Sequence, residues 1–242
     1  MQTVHLSIVI PAYNEARRLP RTLESLDAFL GKQPYAAEVL VVDDGSRDDT
    51  RATARAFRFS APVRLRLLTN ARNRGKGASV RRGVAAARGE FVLFTDADLS
   101  TPIADVQALF AALAKGADVA IGSRAVAGSR VLTPQPWHRE FMGKTFNRFV
   151  QGIVLPGIHD TQCGFKLFRR SAARRLFRRL TTPRFGFDVE VLYLARRTKL
   201  RVAEVPVEWH NSLASTVSPL KDSLTMFADL FRIRWRHRRT QI

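Results

Sequence analysis

Between residues 4 and 124 the chain repeats one pattern five times: a short strand-like run rich in apolar residues, then a polar cluster. The strand-like runs are 4–10, 38–42, 63–68, 91–95 and 118–121. Stretches with helical period separate them. Residues 16–30 carry Leu19, Leu23, Leu26 and Leu30 on one face; Asp48 or Asp49 caps a second helix; residues 77–88 form a third that Gly89 ends; Thr101-Pro102 opens a fourth with proline at its first position. Strands alternating with helices imply βαβ units, hence a mostly parallel sheet with right-handed crossovers. Such a sheet collects its ligands at the carboxyl ends of its strands. That edge gathers Tyr13-Asn14-Glu15, Asp43-Asp44, residues 70–77, Asp96-Ala97-Asp98 and Gly122-Ser123-Arg124.

The chemistry follows from residue type. The run Phe91-Val92-Leu93-Phe94-Thr95 delivers Asp96 and Asp98 to one strand end, and two carboxylates there suit Mg²⁺ or Mn²⁺, which fills its shell with water and substrate phosphates. Asp43 and Asp44, ending a neighbouring strand, are acceptors for ribose hydroxyls and a pyrimidine N–H. In Asn73-Arg74-Gly75-Lys76-Gly77 the glycines allow close backbone approach, Lys76 is a phosphate partner, and the following helix N-terminus favours anions. Neither a P-loop nor a G-x-G-x-x-G fingerprint is present, since Val80 stands at the third glycine position.

The second half is less regular. Residues 125–136 read as a loop over the site, 137–154 as a helix, and 160–168 as a polar turn entering an apolar strand. Ser171 caps an Arg-rich helix, 187–197 is another helix, and 200–209 alternates as a strand. From residue 218 onward Leu220, Leu224, Phe227, Phe231 and Trp235 fall at helix spacing. Residues 1–217 are thus expected as one domain, with 218–242 a basic amphipathic C-terminal helix. Arg124, Arg130, Arg139 and Lys144 are candidates for a phosphate-binding cluster at the mouth of the site. Asp160 and Gln162 complete either the metal site or the acceptor site. Cys163 lacks a histidine partner other than His159 and does not read as a nucleophile.

The chain has 242 residues, 45% of them hydrophobic, enough to bury a sizeable core. No run approaches the roughly 18 apolar residues of a membrane span, and no signal peptide is apparent. One cysteine excludes an internal disulfide. Forty Lys and Arg against 21 Asp and Glu leave a formal net charge of +19, which points to a polyanionic partner. A nucleic-acid-binding module would leave the strand-end carboxylates unexplained, so no nucleic acid is expected. A sugar nucleotidyltransferase would carry a basic Gly-rich loop after its first strand, where this chain has Pro11-Ala12-Tyr13-Asn14-Glu15.

These segments, with Ser7-Ile8-Val9-Ile10 and Thr95-Asp96-Ala97-Asp98, resemble family-2 glycosyltransferases of the GT-A fold. Asp160-Thr161-Gln162-Cys163-Gly164-Phe165-Lys166-Leu167-Phe168, Phe187-Asp188-Val189-Glu190, Leu192-Tyr193-Leu194-Ala195 and Leu220-Lys221-Asp222-Ser223-Leu224 narrow the resemblance to its dolichyl-phosphate β-glucosyltransferase branch. The resemblance implies an α/β fold of GT-A type, UDP-glucose as nucleotide-sugar donor, a polyprenyl phosphate as acceptor, and inversion at the sugar carbon. It implies that Pro11, Ala12, Tyr13, Glu15, Asp43, Asp44, Lys76, Asp96 and Ala97 hold the nucleotide sugar. Asp96 and Asp98, with Gln162, would hold the metal against the diphosphate. Arg124, Arg130 and Lys144 would take the acceptor phosphate, and Asp160 is the base if the acceptor is a hydroxyl. GDP-mannose and UDP-N-acetylhexosamine are the alternative donors. The eukaryotic branch has an N-terminal membrane anchor that this chain lacks, which favours a bacterial or archaeal enzyme, cytoplasmic and peripheral at the inner face of the membrane. The basic C-terminal helix, with Trp235 among arginines, would touch an anionic membrane surface.

Overall fold

The computed structural model describes residues 4–60, 62–133, 137–211 and 219–238, with only the backbone described at 137–139 and 219–224. The expected alternation holds through the first half: β1 (Leu6–Ala12), α1 (Leu19–Leu30), β2 (Ala37–Asp43), α2 (Thr50–Ala56), β3 (Arg64–Thr69), α3 (Lys76–Ala86), β4 (Phe91–Thr95), α4 (Val106–Ala114) and β5 (Val119–Ser123). There follow β6 (Arg130–Thr133), α5 (Trp137–Ile153), β7 (Phe165–Arg169), α6 (Arg170–Arg179), α7 (Phe187–Arg197), β8 (Val202–Pro206), β9 (Glu208–His210) and α8 (Pro219–His237).

Seven strands form one sheet in the order β3-β2-β1-β4-β7-β5-β8. All pairings in it are parallel except those of β7, which runs antiparallel between β4 and β5. The inversion has a consequence for function. It brings the start of β7, and with it residues 160–164, to the same edge as the carboxyl ends of β1 to β5.

The central strands are mostly apolar because both faces are covered, with Ser7, Glu38 and Lys166 buried among them, while the edge strand β3 is only partly buried. Val9, Leu40, Val42, Val92 and Phe94 enter one core with α3, α6, α7 and the inner faces of α5 and α8. Ile8, Ile10, Val39, Val41 and Leu93 enter the other with α1 and α4. On α8, Leu230 and Ile233 are buried in the first core, while Phe231 and Trp235 are 61% and 64% exposed. His237 Nε2 lies 2.6 Å from Glu190 Oε1 on α7 and pins the helix end. The expected positions Leu220 and Leu224 lie outside the described side chains, as does Arg139.

Several local expectations are corrected. Residues 125–136 are not all loop: β6 pairs in parallel with β9, forming a two-stranded sheet beside the main one. Residues 200–209 are not one strand, because the chain changes sheet at Val207. Helix α1 starts at Leu19, since the amides of Arg18 and Leu19 both donate to Glu15 O in a turn. Gly89 does not end α3, which stops at Ala86; a Cβ there would sit 2.6 Å from Ser7 N, so the glycine serves close approach to β1. Ser171 lies inside α6, whose cap position is Arg169. Asp49 occupies the cap position of α2 without a side-chain bond, and Asp48 takes the amide of Thr50 instead, at 3.1 Å.

Candidate active site

The loops at the carboxyl edge are tied together by their own polar groups. Asn14, held at φ 56°, donates its amide to Ser46 Oγ at 3.0 Å, and Glu15 donates its amide to Thr50 Oγ1 at 2.8 Å. These bonds fasten the turn after β1 to the turn after β2. Asp44 performs the same service for the next loop: it accepts the Asn70 side-chain amide at 2.7 Å, the Arg74 amide at 3.0 Å and the Gly75 amide at 2.7 Å. Its carboxylate therefore shapes the 70–77 loop. Neighbouring Asp43, fully buried, takes the amides of Gly45 and Ser46 and the Arg51 guanidinium at 2.7 Å. Sequence pattern pairs neither aspartate with these partners, because the partners are distant or unremarkable in sequence.

Asp96 and Asp98 leave β4 in a tight turn. Leu99 follows at φ 45°, a costly conformation for a branched side chain, and its amide donates back to Asp96 O at 3.2 Å. Thr22 Oγ1 on α1 donates to Ala97 O at 2.7 Å and fixes the turn from beneath. Both carboxylates already have cationic partners: Lys76 Nζ lies 2.6 Å from Asp96 Oδ1, and an Arg18 nitrogen lies 3.2 Å from Asp98 Oδ2. Arg18 also forks onto Glu15. Burial pushes the Glu15 carboxyl above its ordinary value, and Arg18 offsets this only in part. Nothing in the sequence pattern marks Arg18 for this role, and only the fold brings it across from the start of α1.

The pair fits a divalent cation on two counts. Both aspartates line an open cleft, and Gly164 leaves the space that the Asp96 carboxylate fills, since a Cβ at 164 would overlap it. Among the described residues no cluster of three His, Cys, Asp or Glu side chains is present.

Asp160, at the head of β7, is bound by Arg124 from β5: Nε to Oδ2 at 2.6 Å, a terminal nitrogen to Oδ1 at 2.9 Å, and the Arg124 amide to Oδ2 at 3.0 Å. Burial raises the Asp160 carboxyl, but Arg124 outweighs it and holds the group below the ordinary carboxylate range. A carboxylate so occupied is a poor base, so its geometry favours positioning Arg124. Glu204 in turn accepts the amides of His159 and Asp160 at 2.8 and 2.9 Å. Arg124 lies over the Trp209 ring, 5.3 Å from its centroid. Gln162 Nε2 is buried without a hydrogen-bond partner. What it offers is an N–H donor, which suits a phosphate oxygen better than a cation. Cys163 is 1% exposed and burial pushes its thiol up to about 11, in keeping with an inert residue.

These groups line a cleft of about 810 Å³ between the sheet edge, α5 and the β6–β9 pair. Lys76, Asp96, Asp98, Arg124, Asp160 and Gln162 form its polar floor, and Val131, Met142, Phe146, Trp209 and Met226 give it an apolar side. Lys144 reaches the cleft, although it is ion-paired with Glu140 at 2.6 Å. Arg130 does not belong to the cluster: it is largely exposed on β6 and held by Glu208 at 2.6 Å. Pro11, Ala12, Tyr13 and Asp43 lie along the adjoining carboxyl ends of β1 and β2, outside this cleft. Asp188, which no sequence argument assigns to the site, lines the cleft while paired with buried Lys166.

The chain has clear relatives among known proteins. A family model described as glycosyl transferase family 2 matches residues 7–177. Dolichyl-phosphate beta-glucosyltransferase of Dictyostelium discoideum is 37% identical over 248 residues, covering 98% of this chain and 76% of the relative. The protein of that name from Drosophila melanogaster is 40% identical over 243 residues, covering 96% of this chain and 74% of the relative. Among solved structures, glucosyl-3-phosphoglycerate synthase of Mycobacterium tuberculosis, in complex with Mn²⁺, UDP-glucose and phosphoglyceric acid, superposes with a TM-score of 0.66 at 20% identity, covering 95% of this chain and 79% of that one. That likeness shows the GT-A arrangement of the sheet, and the sequence matches show more: the chain belongs to glycosyl transferase family 2.

Proposed function

We propose that this glycosyltransferase moves glucose from UDP-glucose to a polyprenyl phosphate, inverting the sugar carbon. A phosphate oxygen of the acceptor attacks that carbon, the bond to the donor diphosphate breaks, and UDP leaves with the electron pair. The observation that carries the reading is the composition of the cleft: a floor of Asp96, Asp98, Lys76, Arg124 and Gln162 suited to phosphates, beside an apolar wall suited to a hydrocarbon chain. Relatives named for dolichyl phosphate and glucose at 37–40% identity support the acceptor and the sugar.

Each residue has a part in this reading. Pro11, Ala12, Tyr13 and Asp43 receive the nucleoside, with Asp44 holding the 70–77 loop that presents Lys76. Mg²⁺ or Mn²⁺, held by Asp96 and Asp98, would supply Lewis-acid stabilisation of the leaving diphosphate. Arg124, aimed by Asp160, neutralises the acceptor phosphate, with Gln162 and Lys144 beside it. A phosphomonoester has its second pKa near about 6 and is already anionic at neutral pH, so no base is required of Asp160.

No helix among the described residues is long and apolar enough to cross a membrane. The reading therefore needs a surface that meets the bilayer. Phe141 and Phe149 on α5 and Phe231 and Trp235 on α8 are large exposed hydrophobics, with Arg232, Arg234, Arg236 and Arg238 alongside the latter pair. This supports peripheral contact with an anionic surface at the cytoplasmic face.

The test is a mass-spectrometric screen of UDP-glucose, UDP-N-acetylglucosamine and GDP-mannose against a polyprenyl phosphate in the presence of Mg²⁺ or Mn²⁺. The expected product is the polyprenyl phosphate carrying one hexose, formed from UDP-glucose. Product from another donor alone would overturn the sugar assignment, and no product from any donor would overturn the acceptor.

A further inference from the structure

Both carboxylates of the Asp96–Asp98 turn already face a cation from the chain itself, Lys76 at 2.6 Å and Arg18 at 3.2 Å. The two cations are not equivalent. Arg18 is forked onto Glu15 at the same time and is anchored at the start of α1. Lys76 has a single ammonium on a flexible stem and a second carboxylate near at hand. Asp188, 2% exposed, lines the same cleft, and its charge, with that of Asp96, favours the Lys76 ammonium. Asp188 is fixed in turn by Lys166, whose ammonium also donates to Cys163 O at 2.7 Å. Both ammonium groups also lie over the Phe94 ring, Lys76 Nζ 5.3 Å and Lys166 Nζ 5.7 Å from its centroid. A lysine that leaves Asp96 is therefore not stranded as a bare buried charge, which would be costly.

We propose that Lys76 is an exchangeable counter-ion for Asp96, which makes cation binding depend on donor binding. A lone divalent cation must compete with Lys76 for Asp96. A cation arriving with a diphosphate does not, because the diphosphate draws the ammonium to itself while Asp188 keeps its far side neutralised. Lys76 is thus a positioning residue that couples two ligands, and coupling of this kind is reciprocal. The inference rests on the metal-assisted reading given above.

The experiment is titration of Mn²⁺ onto the full chain, followed by the paramagnetic signal of the free ion, with and without UDP. In the wild type, Mn²⁺ is expected to bind weakly alone and more tightly with UDP. Lys76→Met should tighten Mn²⁺ binding without nucleotide on the order of tenfold and shrink the enhancement by UDP to match. Lys76→Arg, which keeps the charge, should stay close to wild type. Lys76→Gln serves as a second neutral variant if Lys76→Met does not fold, as judged by circular dichroism. Unchanged or weaker nucleotide-free Mn²⁺ binding in a folded neutral variant would overturn the coupling role and leave the metal reading intact. Absence of Mn²⁺ binding to the wild type even with UDP would overturn the metal reading itself, and the coupling with it.

Discussion

Arg124 grips Asp160 by two guanidinium nitrogens and by its own backbone amide, at 2.6, 2.9 and 3.0 Å. The contact ties the residue that follows β5 to the turn that leads into β7, two strands that run in opposite directions and pair directly. The fork geometry is what a lysine lacks. Arg124→Lys should therefore lower turnover strongly, on the order of 100-fold if the acceptor phosphate relies on it as an anion-stabilising donor. Asp160→Asn should do the same with little change in donor KM, because it frees Arg124 without touching the donor. Steady-state kinetics on both variants checks this, and a wild-type kcat for Asp160→Asn would contradict the positioning role.

The same pair sets an acid limit on stability. Asp160 is nearly buried and its folded carboxyl lies below the ordinary range, so its contribution is fully present above the unfolded value of about 4 and is lost as pH falls through the folded one. Melting temperature measured from pH 6 down to pH 3 should fall most steeply below about pH 4. The fall should be shallower in Asp160→Asn, which has no proton to gain at that site.

Gly164→Ala should damage activity far more than its size suggests. A Cβ there would overlap the Asp96 carboxylate and push it from its place in the cleft. The expected loss of stability is about 1–3 kcal/mol, typical of overpacking, whereas binding of Mn²⁺ with UDP should fall on the order of tenfold or more as one carboxylate is displaced. Calorimetry of the folded variant separates the two effects. Undiminished Mn²⁺ binding would mean that Asp96 does not act from this position.

Much of this architecture is legible in the amino-acid sequence. The strands β1, β2, β4 and β5 declare themselves because burial on both faces leaves mostly apolar runs, and parallel pairing then fixes which edge holds Asp43, Asp96 and Arg124. Pairings across long separations stay hidden. Arg18 and Asp98 lie 80 residues apart, and Arg124 and Asp160 lie 36 apart. No local period reports such contacts. The short β6 leaves no signal because four exposed residues pairing with another three-residue strand carry no alternation to read. The reversed direction of β7 is equally silent, since an apolar strand reads alike in both senses. Arg130 misleads because charge marks a candidate without saying which way the side chain turns.

Cys163 should behave as a core atom. Burial raises its thiol to about 11, so at pH 8 almost none is thiolate, and 1% exposure blocks access. Alkylation by iodoacetamide at pH 8 should proceed only as the chain unfolds, and should speed up on the order of 100-fold or more in denaturant. Cys163→Ser should retain measurable transferase activity. Its cost should appear as a modest loss of stability, because a smaller hydroxyl replaces sulfur in a packed site whose only short polar contact to the thiol is Thr101 Oγ1 at 3.9 Å among the described residues. Rapid labelling of the native protein would contradict this placement.

The exposed aromatics decide whether the C-terminal helix does more than close the core. Leu230, Ile233 and His237 face inward and are buried, so α8 needs no lipid to hold it in place. Phe231 and Trp235 then remain exposed on the opposite side, with the Arg238 guanidinium 5.4 Å from the Trp235 ring centroid. Burying two such side chains in a bilayer interface is worth about 3–6 kcal/mol at most, and each nearby arginine adds on the order of 1 kcal/mol on an anionic surface. Double substitution Phe231→Ser, Trp235→Ser should thus leave the fold and the melting temperature nearly unchanged while binding to vesicles rich in anionic lipid falls on the order of 100-fold. Binding of the wild type should weaken as salt rises, since the arginine share is screened. Neutral vesicles should retain only the aromatic share. Trp235 fluorescence in a variant whose other tryptophans are replaced gives the direct signal: a blue shift on adding anionic vesicles. If the double variant binds those vesicles as tightly as wild type, α8 is not the contact, and the exposed Phe141 and Phe149 of α5 become the surface to test.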